Sequence, residues 1–177
     1  MSRFQPPVAP FVESRYQGAN QRPRAIFISS SHTTSEEGAA LGLANAWHRR
    51  VSSLPAPHYV VDEKAIYRCV PDRKESERRP GRGALHVHLC SQPADDLSFW
   101  DDAEHVRVLD LAEDLVAQLA LAYRIPVRRL KKKDEDRWSD ESFLRRSGVV
   151  FQIVGEFPKE RFLQNVREQM AFFKTTL

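Results

Sequence analysis

Two histidines one residue apart, His86 and His88 in HVH, are the most chemically suggestive local feature of the chain. On a strand, residues i and i+2 project from the same side, so both imidazoles can face one site. Imidazole is a common zinc ligand, and a hydrolytic zinc centre needs three protein ligands with a fourth position open to water. The competing reading has the same rings hydrogen-bonded inside a core or cleft. The hydroxyls of Ser29-Ser30-Ser31 are a poorer candidate, because no G-x-S-x-G elbow surrounds them and no acidic partner is fixed by the pattern.

Charge adds two further candidates. Arg73, Lys74, Arg78, Arg79 and Arg82 cluster just before the HVH segment, and Arg128-Arg129-Leu130-Lys131-Lys132-Lys133 forms a second basic run. The acidic triplet Asp134-Glu135-Asp136 follows that run directly, which favours a solvated loop over a phosphate-binding patch. With 27 basic against 24 acidic residues the net charge is +3, too little for a dedicated nucleic-acid binder.

The rest of the composition bounds the architecture. A chain of 177 residues with 41% hydrophobic residues can bury one sizeable core. Its 7 Gly and 11 Pro exclude collagen-like and low-complexity classes. No apolar run approaches the roughly 20 residues of a membrane helix, so no span is expected. The first residues lack the apolar stretch of a secretory signal, which predicts a protein made in the cytoplasm without a signal peptide. Cys69 and Cys90 have no CxxC spacing and read as buried free thiols.

The elements that position the candidates follow from periodicity. Residues 1–14 read as a polar, proline-bearing arm and 15–177 as one domain. A short buried-type strand at 25–28 leads into a loop at 29–33. Thr34 and Glu37 fit a capping box, opening a helix with Leu41, Ala44 and Trp47 on one stripe. HYVVD at 58–62 and AIYRCV at 65–70 make a hairpin, and 84–90 a strand of alternating faces. A long helix over 102–123 carries Val106, Leu109, Ala112, Leu115, Val116, Leu119 and Ala120 on its apolar stripe. A last strand falls within 149–154 and a last helix starts near Lys159. Strands and helices interleave, so the class is α/β, a central mixed β-sheet flanked by helices. Trp47, Trp100 and Trp138 read as core or loop anchors.

The order of these motifs resembles a known family. RYQGANQRP at 15–23, HYVVD at 58–62, IYRCVP at 66–71, the Leu89-Cys90 strand and the Trp100-Asp101 loop come in sequence. The long helix, YRIPVRRL at 123–130 and EFPKERFL at 156–163 complete it. The whole resembles the N-acetylmuramoyl-L-alanine amidase family, type 2, with the peptidoglycan-recognition-protein fold, in the manner of phage endolysins and their actinobacterial relatives. The resemblance covers about residues 15 to 170. It implies cleavage of the amide between muramic acid and the stem peptide, with zinc polarising the carbonyl and activating water.

Carried over residue by residue, the family's ligands are not found. The first-strand histidine falls on Ser29, or on His32 in a shifted alignment, and the second falls near Phe151. The loop bearing the third ligand is missing, since Val154-Gly155 runs almost directly into Glu156. The position of the family's catalytic glutamate falls on His88. The resemblance therefore implies a catalytically degenerate amidase-like protein with no zinc, a peptidoglycan-binding or virion (tail) module. Peptidoglycan or a muropeptide is its expected partner in a cleft formed by His58, His86, His88, Arg79 and Arg82. The arm is available to virion or cell proteins. Two alternatives stand beside it: an active amidase whose zinc site is rebuilt from His32, His58, His86 and His88, and a partner-binding regulator acting through the basic loops.

Overall fold

The computed structural model describes residues 9–14, 18–32, 38–49, 55–78, 82–130 and 147–176, with only the backbone described at 31 and 32. The proposed cap at Thr34 and Glu37, Arg79, Trp138 and the charged stretch 131–136 lie outside these residues. Five strands form one sheet in the order β3-β2-β4-β1-β5: β1 Ala25–His32, β2 Tyr59–Val61, β3 Ile66–Arg68, β4 Ala84–Ser91 and β5 Gly148–Gln152. The β2, β4, β1 and β5 strands run parallel, and β3 pairs antiparallel with β2 as the hairpin pattern predicts. Among the described residues three helices accompany them, α1 Ala39–His48, α2 Ala103–Tyr123 and α3 Lys159–Thr176, with a short 3-10 turn at Leu97–Asp101. No described helix is long and apolar enough to cross a membrane.

The alternation in β4 sorts its side chains between the two faces of the sheet. Leu85, Val87 and Leu89 join Ile26 and Ile28 of β1 and pack against α2 and α3 through Leu109, Leu115, Val116, Leu119, Phe162 and Val166. On the other face Cys90 joins Val60, Ala40, Ala44 and Trp47 beneath α1. Every position of β4 is buried, as expected for a strand covered on both faces. The stripe of α2 falls where the periodicity places it, with Leu109, Ala112, Leu115, Val116, Leu119 and Ala120 buried.

Three expectations are corrected. First, β1 does not stop at residue 28: residues 29–32 continue the strand, because β4 pairs along its whole length and β5 pairs as far as Ser29. Ladder hydrogen bonds on both sides outweigh the weak strand preference of serine. Second, α1 begins at Ala39 behind Gly38, which provides no side-chain cap. Asp62 provides it instead: Oδ2 accepts from the amides of Gly38 and Ala40, while Oδ1 accepts from Lys64 and Ala65. One buried carboxylate thus caps a helix N-terminus and closes the hairpin turn. Within α1 the buried positions are Ala40, Ala44 and Trp47, and Leu41 is exposed. Third, part of the arm is committed to its own sheet. Val12 N–H donates to Arg68 O, Arg68 N–H to Pro10 O and Ser14 N–H to Cys69 O, so residues 10–14 cover the β3 edge.

Candidate functional site

The parallel register brings two predicted site residues together. Ser29 of β1 lies directly opposite His88 of β4, and Ser29 Oγ is 3.0 Å from His88 Nδ1. The third does not converge. Phe151 pairs with Ile28, one residue out of phase, and so projects to the opposite face, where it packs on Phe157 and Phe162. A one-residue step in register exchanges faces, and the residue beside Ser29 on β5 is Gln152.

The group that completes the site is Arg78. Its Nη1 donates to Ser29 Oγ at 2.9 Å and to His88 Nδ1 at 3.2 Å, and its Nε donates to Pro55 O at 2.8 Å. The guanidinium lies over the ring of Trp47, 5.7 Å from its centroid, within cation-π range. Buried Ser76 aims it: Ser76 Oγ donates to Ala56 O and accepts from the Arg78 amide, tying this loop to the segment before β2. Among the described residues no carboxylate forms an ion pair with Arg78.

These contacts fix protonation. Two donors converge on His88 Nδ1, which therefore accepts, and the ring proton sits on Nε2. Burial, with the adjacent Arg78 charge, holds His88 well below the usual histidine pKa, so the ring is neutral. Burial also draws Arg78 down to about 10, which leaves it cationic at neutral pH.

The other two imidazoles are structural. His58 Nδ1 accepts from the His86 amide, and its Nε2–H donates to Lys74 O. Burial lowers its pKa to about 4. His86 stacks on His58 at 5.9 Å and lies 5.3 Å from Phe27. At 0%, 1% and 2% exposure, His58, His86 and His88 do not line an open cleft. Arg82 is exposed and pairs loosely with Glu75 at 3.8 Å. His32 contributes backbone to β1, and Arg79 lies outside the described residues.

A divalent metal does not fit this arrangement. Among the described residues no group of three or more His, Cys, Asp or Glu side chains could hold one. The Ser29 hydroxyl and the His88 lone pair are both taken by a guanidinium. A dication about 4 Å from that charge would be repelled by on the order of 8 kcal/mol at an effective dielectric of 20. In the sequence Arg78 is one of five basic residues clustered before the HVH segment. No spacing signal separates it from Arg79 or Arg82, since the serine that aims it acts through the fold.

The fold is that of the cell-wall amidases. It matches a Staphylococcus aureus hydrolase, AmiA, solved with its ligand, at TM-score 0.65 and 12% identity over 98% of this chain and 88% of that one. It also matches PlyL at TM-score 0.61 and 15% identity, over 89% of this chain and 96% of PlyL. The endolysin N-acetylmuramoyl-L-alanine amidase LysCS from Clostridium intestinale aligns at TM-score 0.59 and 14% identity, covering 93% and 98%. No protein-family model and no curated protein matches the sequence.

Proposed function

We propose that this protein binds peptidoglycan through an amidase-like fold without hydrolysing it and without a metal. The likeness in fold to cell-wall amidases supports the partner. The observation that carries the loss of hydrolysis is the guanidinium of Arg78 bonded to Ser29 and His88, where the resemblance puts a metal and a catalytic carboxylate. A guanidinium can neither lower the pKa of a bound water to the neutral range nor accept its proton.

Purified protein incubated with peptidoglycan sacculi and zinc tests both halves. The expected result is co-sedimentation with the sacculi and no release of stem peptide. Stem-peptide release that disappears in His88→Ala would overturn the loss of hydrolysis. Failure to sediment with sacculi would overturn the partner.

A further inference from the structure

We infer that Arg78 is the resident cation of a carboxylate-binding site, set where the resemblance places the metal. Two nitrogens of the guanidinium are spent, Nη1 on Ser29 Oγ and His88 Nδ1 and Nε on Pro55 O, three neutral acceptors that hold it without cancelling its charge. The remaining nitrogen, Nη2, has no acceptor among the described residues, and no carboxylate there pairs with the group. Two described ionisable groups that feel the Arg78 charge are neutral at pH 7: His88, and the Cys69 thiol, which burial pushes up to about 12.

Half-buried positive charge without a counter-charge is costly, and such charges are normally paired. A planar guanidinium pinned at two nitrogens presents the third, Nη2, in fixed orientation, and its charged N–H donors suit a carboxylate oxygen. Trp47 contributes a flat wall against the same guanidinium. The ligand class is therefore a carboxylate, either a small free one or the terminal carboxylate of a peptide. The site is defined by these residues alone, so it and the wall-binding reading can fail separately.

Nuclear magnetic resonance of the His88 ring, titrated at constant ionic strength, tests this. The probes are acetate, N-acetylalanine and, as the uncharged control, N-acetylalanine amide. The expected result is a saturable shift with a carboxylate probe and none with the amide. A response to N-acetylalanine assigns the site to peptide carboxylates, and one to acetate alone assigns it to small free ones. Arg78→Gln should weaken binding by roughly tenfold or more, because the charge-assisted pair is lost. Arg107→Gln, at an exposed arginine paired with Glu63, should change nothing. Arg78→Lys keeps the charge without the fork and should bind more weakly than wild type, which preserves the test if the glutamine variant does not fold. Absence of a saturable shift in the wild type, or an equal response in a folded Arg78→Gln protein, would overturn the inference.

Discussion

Arg78 and Ser29 are 49 residues apart in the chain and joined Nη1 to Oγ at 2.9 Å. That contact, with the one to His88, sets a fixed monovalent cation against neighbouring side chains of two paired strands. The charge cannot leave as a metal can, and it presents donors where a metal would require them withdrawn.

Zinc should therefore leave stability unchanged. A ligand bound only by the folded state at a hundred times its Kd stabilises by ~2.7 kcal/mol. For a domain of this size that corresponds to a Tm increase of about 5–10 °C. Thermal denaturation with and without excess zinc should give coincident curves. A rise of several degrees that vanishes in His88→Ala would contradict the site as described.

Asp62→Ala should be among the most damaging single changes outside the hydrophobic core. The carboxylate accepts from four backbone amides, two at the start of α1 and two in the hairpin turn. Removing it leaves those donors poorly satisfied, at a cost of ~3 kcal/mol. Urea denaturation gives the value directly. A loss below about 1 kcal/mol would mean that water replaces the side chain at both ends.

The contrast between Asp62 and His88 explains what was legible in the sequence. Helix and strand positions follow from local periodicity, so α2, the β2–β3 hairpin and the start of α3 fall close to their expected places. His86 and His88 do share a face, as their i, i+2 spacing requires. What a side chain bonds to across the sheet is non-local. The register that sets Ser29 against His88 and turns Phe151 away is decided by strand pairing. The helix cap came from a residue 22 positions beyond Ala40 in the chain, which no capping pattern of consecutive residues can reveal. Arg78 reads as one of five basic residues until Ser76 and Pro55 hold it in place.

Both cysteines should be silent to Ellman's reagent in the native state. Cys69 and Cys90 form no disulfide and are buried, and burial pushes the Cys69 thiol up to about 12. Only thiolate reacts, so little of Cys69 is reactive at pH 8. The expected count is zero thiols in buffer and two in denaturant. Rapid reaction of one thiol under native conditions would reveal an opening of the core beneath α1.

Gly155→Ala should fail for a reason unrelated to the candidate site. Gly155 has φ of 82°, and a Cβ there would stand 2.3 Å from the carbonyl oxygen of Ala94. The backbone comes this close because Glu156 N–H donates to Ala94 O and Trp100 Nε1 donates to Glu156 O, which draws the end of β5 against the 3-10 turn. The left-handed conformation and the clash together should cost ~3 kcal/mol or more. Trp100 fluorescence during urea unfolding reports it, and a stable Gly155→Ala protein would show that this junction can shift without loss.

Glu113 makes the stability of the α2–α3 pair depend on pH. Burial raises its pKa from the usual 4.5 to about 7, against the partly compensating hydrogen bond from Asn165 Nδ2 to Oε1. The folded state therefore holds this proton more tightly than the unfolded chain does. Its contribution is fully present below about pH 4.5 and is lost as pH rises through about 7. Glu113→Gln keeps an oxygen to accept from Asn165 and removes the charge. The variant should match the wild type near pH 4.5 and exceed it by ~1 kcal/mol at pH 8. Chemical denaturation at the two pH values measures the difference, and a variant no more stable than wild type at pH 8 would mean that the carboxylate reaches water there.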